Sequence, residues 1–372
     1  MNIKTRLAKA GGEPDPETGA VIPPLHLSST YERDASGSYS RGFVYSRWAN
    51  PTRLRLEETL ADLEGGYGAA AFPAGMSAID TLLRTLNPGD HVILPDDVYH
   101  ATRQLLREVL SISGVKYSEA DYSDPANITE AIRPETKLAW IETPSNPLCK
   151  ITDIAAVVSA ARDSGVETVV DNTWMTPLLQ RPLELGADYV VHSMTKYLSG
   201  HSDVLAGAVV SRGDTDRFRR MQHIQKVGGA VASPFDCWLT LRGIRSLGAR
   251  MRLHCENASQ VAAHLAGHER VTKVHYAGLP DHPGHDIAAK QMDDFGAMIS
   301  FEVDGGEETA IGVAARVEVF IRATSLGGTE SLIEHRASIE SKPTSTPPAL
   351  LRLSVGLEDA GDLIADLDQA LA

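Results

Sequence analysis

The chain has 372 residues, of which 42% are hydrophobic and 23% are charged, and its formal net charge is −14. These proportions are typical of a globular enzyme, and the length predicts a large domain with a smaller one beside it. The surplus of negative charge argues against nucleic acid or an anionic membrane as a partner, because either surface would need a basic patch.

The N-terminal sequence and the cysteines favour a cytoplasmic protein. No long apolar segment opens the chain, so we expect neither a signal peptide nor a membrane-spanning helix. The three cysteines are Cys149, Cys237 and Cys255. Because this number is odd and small, we expect no disulfide framework. The cysteines instead suit a protein of a reducing compartment.

The first part of the chain divides into an arm and a domain. Residues 1–50 are rich in Gly, Pro, Ser and Thr with weak periodicity, which predicts an extended N-terminal arm. In residues 51–235, short apolar runs alternate with helix-length segments, which predicts a doubly wound α/β domain with a mostly parallel sheet. The predicted strands are Gly68–Phe72, His91–Leu94, Val115–Ser118, Leu138–Ile141, Glu167–Val170, Asp188–Val191 and Ala206–Val210. The predicted helices include Arg53–Leu63, Met76–Thr85, His100–Ser111, Ile154–Ser164 and Arg217–Val227.

The pattern changes near Asp236, and residues 236–372 are predicted to form a smaller α+β domain. A long helix, at about Pro234–Ala266, leads into it, and a helix near Leu363–Leu371 ends it. The Pro-rich segment at 341–348 is predicted to be a loop. The predicted strands of this domain are Thr272–Tyr276, Met298–Glu302, Val317–Phe320 and Leu350–Val355.

The strongest functional signal is a lysine and an aspartate at the ends of neighbouring predicted strands. Lys196 follows one strand in the motif Ser193-Met-Thr-Lys196, and Asp171 ends the strand before it. Catalysis with pyridoxal phosphate (PLP) needs this combination, because the lysine amine bonds to the cofactor aldehyde and the carboxylate keeps the pyridine nitrogen protonated. The hydroxyls of Ser193 and Thr195 could donate to the cofactor phosphate.

The segment His192-Ser-Met-Thr-Lys-Tyr-Leu-Ser-Gly-His-Ser-Asp203 resembles the lysine motif of the Cys/Met-metabolism (transsulfuration) PLP enzymes. The resemblance extends from about Pro23 to the C-terminus, with further motifs in the family's order. Several motifs in order are much more specific than one. They are Tyr45-Ser-Arg-Trp-Ala-Asn-Pro-Thr52, Glu142-Thr-Pro-Ser-Asn-Pro147, Ser325-Leu-Gly-Gly-Thr-Glu-Ser-Leu332 and Arg352-Leu-Ser-Val-Gly356.

The resemblance implies the aspartate-aminotransferase-like (fold type I) PLP fold and a homotetramer, a dimer of dimers with shared active sites. It also implies roles in cofactor binding beyond Lys196, Asp171, Ser193 and Thr195. Backbone amides of Gly75 and Met76 would donate to the phosphate at a helix N-terminus, where the helix dipole favours an anion. The other implied cofactor contacts are Tyr99, Asn146 and Thr173, together with Tyr45 and Arg47 reaching across a dimer interface.

For the substrate, the resemblance assigns the α-carboxylate to Arg352, with Ser325 and Asn146 nearby. Lys196 and Tyr99 would transfer protons, with Asp171 as the third catalytic residue. Without the resemblance, some of these residues could equally have a structural role. Asn146 lies between two prolines, which is typical of a turn, and an arginine such as Arg352 commonly forms a surface ion pair. No metal site is expected, since the segment Asp281-His-Pro-Gly-His-Asp286 is typical of a loop.

The expected activity is γ-elimination on L-cystathionine-like substrates by a PLP-dependent C–S lyase. Cystathionine γ-synthase or another O-acylhomoserine γ-replacement is the close alternative, followed by methionine γ-lyase and cystathionine β-lyase. Thr324 occupies the position before the Ser-Leu-Gly-Gly motif, where the family commonly has a glutamate. Leu326 replaces the tryptophan that is typical of β-lyases. Ala101 replaces the cysteine that methionine γ-lyases usually carry two residues after the tyrosine. A catalytically silent PLP-binding protein is the alternative of another class, which would be expected to lack Lys196 or Asp171.

Overall fold

The computed structural model describes residues 1–340 and 346–372. Residues 341–345, which belong to the predicted Pro-rich loop, lie outside the described residues. In the described part of the chain, no helix is both long enough and apolar enough to cross a membrane.

A seven-stranded sheet forms the first half of the molecule, in the order β1-β7-β6-β5-β4-β2-β3. Strands β2 to β6 are parallel, and β7 runs antiparallel to both of its neighbours, β6 and β1. The seven predicted strands are all present, with shifts of at most two residues at their ends. The strands are β1 (Gly68–Phe72), β2 (His91–Pro95), β3 (Lys116–Ala120), β4 (Thr136–Glu142), β5 (Glu167–Asp171), β6 (Tyr189–Ser193) and β7 (Gly207–Ser211).

Helices surround this sheet, and most of them were predicted to within three residues. The α-helices up to residue 228 are α1 (Ile3–Ala8), α2 (Pro51–Glu64), α3 (Gly75–Leu83), α4 (His100–Glu108), α5 (Pro125–Ala131), α6 (Ile154–Asp163), α7 (Thr176–Leu179) and α8 (Asp216–Gly228). A 3-10 turn, Leu110–Ser113, follows α4. Helix α2 begins at Pro51 because its first turn is capped. The Asn50 side chain accepts hydrogen bonds from the amides of Thr52 and Arg53, and Pro51 has no amide hydrogen that would need an acceptor.

Both faces of the sheet are buried, as a mostly parallel sheet requires. On one face Val191 and Val209 pack in a cluster with residues of α3 and α8. On the other face Val190 and Val210 belong to a larger core that includes α2 and α9 (Pro234–Ala266). The sheet is therefore held between helical layers, and its strand ends are left to form a site.

The second half contains a five-stranded sheet in the order β10-β11-β12-β9-β8. Its pairs are antiparallel except for β10 with β11. The long helix α9 packs against β8 and β9 and also against α1 and α2, so it joins the two halves. The elements are β8 (Val271–His275), α10 (His285–Gln291), β9 (Met298–Val303), α11 (Gly306–Arg316), β10 (Ile321–Arg322), β11 (Leu332–His335), the 3-10 turn Arg336–Ser338, β12 (Leu350–Ser354) and α12 (Ala360–Leu371).

The structure differs from the sequence prediction in several places, and strands β10 and β11 were not expected. The predicted strand Val317–Phe320 is wrong: the amides of Glu318, Val319 and Phe320 donate to the Asp366 carboxylate at 2.7–2.9 Å instead of to a strand. Within the predicted arm, α1 was not expected, and its Leu7 is buried in the main core. The division at residues 50 and 235 stays a prediction.

Candidate active site

A cavity of about 210 Å³ lies at the carboxyl ends of β4, β5 and β6. The segment between β10 and β11 and the strand β12 close it from the second half of the molecule. Open α/β sheets bind ligands at this edge. The predicted site residues that line the cavity are Gly75, Met76, Tyr99, Asn146, Asp171, Thr173, Ser193, Thr195, Lys196, Ser325 and Arg352.

One end of the cavity is formed by the start of α3 and the end of β6. Helix α3 begins at Gly75, and its N-cap residue Ala74 gives no side-chain hydrogen bond to the first amides. The backbone packs closely here: a Cβ added to Gly75 would lie 2.9 Å from Ser193 Cβ, and one added to Gly207 would lie 2.3 Å from the Ala74 oxygen. Free helix-terminal amides beside a serine hydroxyl form a cradle that suits a phosphate.

Thr195 and Thr173 support this end through the backbone. The Thr195 hydroxyl donates to the Ala206 oxygen at 3.2 Å and accepts from the Ala206 amide at 3.1 Å. The Thr173 hydroxyl accepts from the Ser193 amide at 2.8 Å. Both threonines therefore hold the loops around the cradle in place, which is a role that the sequence did not predict for either of them.

Asp171 ends β5 and faces the cavity. Its carboxylate accepts a hydrogen bond of 3.0 Å from the Thr173 amide, and burial raises the pKa of Asp171 above its ordinary value. Among the ion pairs formed by the described residues, none involves Asp171. A half-buried carboxyl that forms no ion pair with the described residues fits the protonated nitrogen of a PLP ring.

Lys196 lies in the turns that follow β6. Its Nζ donates a hydrogen bond of 2.7 Å to Ser325 Oγ. Burial, and then the positive charge of Arg352, lower the pKa of Lys196 to about 8. About a tenth of such a lysine is neutral at pH 7, far more than of a solvated one. The amine is therefore suited both to bond with an aldehyde and to carry a proton.

Arg352 lies on β12 and is buried. Its Nη1 donates to Asn146 Oδ1 at 2.9 Å, and its Nη2 donates to the Ser325 oxygen at 3.1 Å and to Glu334 Oε2 at 2.8 Å. Ser325 has a φ of 91°, a left-handed conformation that a non-glycine residue rarely adopts and that is common at functional sites. The second half of the molecule thus delivers a fixed guanidinium beside Lys196.

Tyr99 precedes α4 and lies on another wall of the cavity. Its amide donates to Glu142 Oε2 at 3.0 Å, and burial raises the pKa of its phenol. The ring contacts His100 edge-on, with 4.8 Å between the ring centroids. A neutral phenol at the carboxyl edge of the sheet can stack on a flat ligand and donate a hydrogen bond to it.

Tyr45 and Arg47 are not among the lining residues of the cavity. The Arg47 Nη1 donates to the Lys226 oxygen at 2.6 Å, and its guanidinium lies 5.4 Å from the centre of the Trp48 ring. The Tyr45 side chain is exposed. Within one chain these residues do not join the site, so their contact with the phosphate stays a prediction about a second subunit.

Sequence reasoning missed three cavity residues that carry charged or titratable groups: His100, Glu142 and Arg336. Glu142 ends β4 and pairs in register with Asp171. Burial and the charge of Asp171 raise the pKa of Glu142 well above its ordinary value. The strand-end argument that found Asp171 would have found Glu142, whereas nothing in the sequence marked Arg336.

In the described part of the chain, no cluster of His, Cys, Asp and Glu side chains has the arrangement of a metal site. The cavity instead offers an anion cradle, an unpaired carboxyl and a partly neutral lysine. These three features fit the phosphate, the ring nitrogen and the aldehyde of PLP respectively.

Comparison with known proteins agrees with this geometry. The family model of the Cys/Met metabolism PLP-dependent enzymes matches residues 4–372. Cystathionine γ-synthase of Mycobacterium tuberculosis (strain ATCC 25618 / H37Rv) is 48% identical over 99% of this chain and 96% of its own length. Cystathionine β-lyase of Coxiella burnetii is 45% identical over 100% of this chain and 98% of its own length. Cystathionine γ-lyase of Bacillus subtilis (strain 168) is 42% identical over 100% of this chain and 99% of its own length.

Solved structures agree equally well. Cystathionine γ-synthase from Xanthomonas oryzae pv. oryzae, in complex with cystathionine, superposes with a TM-score of 0.96 and is 44% identical. The match covers 100% of this chain and 98% of that one. This chain belongs to the Cys/Met-metabolism family of PLP-dependent enzymes, and it is a PLP-dependent transsulfuration enzyme with the fold that its sequence predicts.

Proposed function

We propose that this enzyme acts at the γ-carbon of L-cystathionine and related homoserine derivatives, with γ-elimination from cystathionine as its reaction. The observation that carries the proposal is the arrangement of Lys196, Ser325 and Arg352. A lysine with a lowered pKa lies within hydrogen-bonding distance of the same segment that holds the guanidinium. An amino acid whose carboxylate binds Arg352 would therefore bring its α-carbon close to a proton carrier.

The cofactor would be held at both ends. Gly75, Met76 and Ser193 would hold its phosphate, with Thr195 donating its hydroxyl proton there instead of to the Ala206 oxygen, and the Lys196 amine would hold its aldehyde carbon. Asp171 would hold the ring nitrogen and Tyr99 the ring face, with Asn146 and Thr173 at the ring edge. When bound, PLP stabilises the negative charge that develops on the substrate carbons.

Proton transfer is the task of this chain's own residues. Lys196, once released from the cofactor, would take the proton from the substrate α-carbon. Lys196 and Tyr99 would then carry the proton transfers that follow at the other reacting carbons. A base works best when its pKa lies near the working pH, which the burial of Lys196 achieves. The buried guanidinium of Arg352 and the Asn146 amide would orient the α-carboxylate, since Arg binds carboxylates through a planar fork.

A second candidate reaction is γ-replacement, in which the cysteine thiol bonds to the γ-carbon of an O-acylhomoserine, the acyloxy group leaves as a carboxylate and cystathionine forms. It is supported by the 48% identity to cystathionine γ-synthases over nearly the whole chain. Both reactions share their early steps at the α- and β-carbons and differ in whether a thiol reaches a late intermediate. Cystathionine β-elimination is less well supported, because Leu326 occupies the place of the tryptophan typical of β-lyases.

Product analysis of the purified holoenzyme tests these assignments. L-Cystathionine should yield 2-oxobutyrate and cysteine, whereas pyruvate and homocysteine would overturn the γ assignment. Cysteine with O-succinyl- or O-acetyl-homoserine should be tested beside it, since faster formation of cystathionine would make γ-replacement the main reaction. Bound PLP with no turnover on any of these compounds would support the silent-binder alternative and contradict the proposal.

We also propose a homotetramer with sites shared between subunits, in the cytoplasm. The supporting observation is a set of exposed apolar side chains in and beside the arm, which a partner surface could cover. All three cysteines are free and buried, which suits a reducing compartment. The exposed apolar residues are Leu27, Val44, Tyr45, Trp48, Leu54 and Tyr67.

A further inference from the structure

Two guanidiniums beside the cavity share one carboxylate. Glu334 Oε2 accepts a hydrogen bond of 2.8 Å from Arg352 Nη2 and one of 3.0 Å from Arg336 Nη1. The side chains are 4% exposed for Arg352, 2% for Arg336 and 8% for Glu334. Glu334 therefore bridges the two guanidiniums in a place from which water is largely excluded, and Arg336 has a second carboxylate partner in Glu340, whereas Arg352 pairs with Glu334.

Arg336 is fixed by further contacts. Its Nη2 donates to Glu340 Oε1 at 3.0 Å and lies 3.4 Å from His100 Nδ1. Because Arg336 also lines the cavity, it stands between the substrate-binding arginine and the start of α4. The proposed chemistry gives Arg336 no task.

The sharing of Glu334 affects the charge that Arg352 presents. A buried Arg–Glu pair on its own is nearly neutral, and its attraction for a third charged group is weak. Arg336 draws part of the Glu334 charge to itself, so Arg352 is not fully neutralised. Burial, followed by the positive charge of Arg336, lowers the pKa of Arg352 to about 10, which still leaves Arg352 cationic at neutral pH.

We propose that Arg336 is a positioning residue of the substrate carboxylate site, which by sharing Glu334 leaves Arg352 a net positive charge for the α-carboxylate. The inference rests on the proposed role of Arg352. It makes Arg336 a determinant of selectivity for free amino acids over analogues in which the carboxylate is replaced by a neutral group.

The test compares L-alanine with L-alaninamide as ligands of the holoenzyme, with dissociation constants taken from the change in cofactor absorbance. The ratio of the two constants reports carboxylate recognition, and a general loss of structure would weaken both ligands together. Arg336→Gln should lower the preference for L-alanine about tenfold, as expected when one charged contact is lost. Arg322→Gln is the matched control, because Arg322 is exposed on β10 of the same sheet and should leave the ratio unchanged.

The route through Glu334 is tested by a double variant. If Arg336 acts by sharing the Glu334 charge, Glu334→Gln added to Arg336→Gln should restore most of the lost preference. A double variant that is no better than Arg336→Gln alone would overturn the inference. Arg336→Lys keeps the positive charge and should retain the preference within about threefold, and a loss as large as that of Arg336→Gln would also overturn it.

Arg352→Gln separates this inference from the function on which it rests. Loss of the carboxylate preference in Arg352→Gln, together with an unchanged preference in Arg336→Gln, would reject the role of Arg336 alone. An unchanged preference in Arg352→Gln would reject the proposed substrate site and the inference built on it.

Discussion

Lys196 Nζ donates a 2.7 Å hydrogen bond to Ser325 Oγ, and this contact joins the two halves of the molecule across the cavity. Lys196 follows β6 of the large sheet, whereas Ser325 belongs to the segment between β10 and β11. The same serine accepts a hydrogen bond from Arg352 through its backbone oxygen. The lysine that would bind the cofactor and the arginine that would bind the substrate are therefore placed by a single residue.

The first prediction is that Lys196 bonds to PLP. Borohydride reduction of the holoenzyme followed by peptide mapping should place the cofactor on Lys196, since this lysine lines the cavity and its lowered pKa leaves more of its amine neutral. Lys150 is the comparison, because it lies outside the cavity lining and pairs with Asp96 at 2.8 Å. A label on Lys150 or on any other lysine would contradict the assignment.

The second prediction concerns pH. The pKa of Lys196 is lowered to about 8, so the neutral amine that reacts with an aldehyde becomes the main form as pH rises through 8. The initial rate of PLP uptake by the apoenzyme should increase up to about that pH and then level off. A solvated lysine would give a rate still rising near pH 10, and such a profile would show that Lys196 is not desolvated as the structure has it.

The third prediction separates the two neighbouring carboxyls, Asp171 and Glu142. Asp171→Ala should still bind some PLP but lose most of its turnover, because the ring nitrogen loses the anion that keeps it protonated. Glu142→Gln should be tolerated within about threefold, because burial raises the pKa of Glu142 and so disfavours its charge, and an amide oxygen can still accept the hydrogen bond from the Tyr99 amide. PLP content and kcat of both variants are measured together. Near-normal turnover in Asp171→Ala would contradict the role that we propose for the Asp171 carboxylate.

The fourth prediction is that Arg47 acts on the site of another subunit. Arg47→Ala and Lys196→Ala enzymes should each be inactive, and mixed oligomers should regain part of the activity, since some sites then contain both native residues. Mixing after mild dissociation, followed by assay and by separation of tagged hybrids, measures this. Hybrids that form and remain inactive would contradict a shared site.

The large sheet could be predicted from the sequence because most of its strands are short apolar runs bounded by polar residues, with the polar edge strand β3 as the exception. The site residues at its edge followed from the same pattern, as Asp171 comes directly after one of these runs and Lys196 lies in the turn that follows another. The second half was harder to predict. Strand β11 has only four residues, which is too short for a recognisable alternation pattern. The segment 317–320 has the pattern of a strand, but its amides donate to the carboxylate of Asp366, which lies 46 to 48 residues further along the chain.

Contacts between distant side chains were also beyond sequence reasoning. Glu334 lies 18 residues before Arg352 and two before Arg336, yet no periodicity indicates that it binds both. Ser325 could be named only from a resemblance, because its left-handed backbone and its contact with Lys196 depend on how the two halves pack. The chemistry-bearing residues were therefore predictable where a strand end places them, and unpredictable where tertiary packing does.

The last prediction concerns substrate selectivity and Thr324. This residue lines the cavity and is exposed, so a longer acidic side chain can be accommodated there without disturbing the core. Thr324→Glu would supply a carboxylate for the distal ammonium of cystathionine, a contact that the native enzyme lacks at this position. The gain in discrimination should be about 1–3 kcal/mol at most, because an exposed charge pair is partly screened by water. The ratio of kcat/KM for L-cystathionine to that for L-homocysteine measures it. Thr324→Gln is the matched control, as its side chain has the same length without the charge. If both variants change the ratio equally, the effect is one of shape, and the charge argument is wrong.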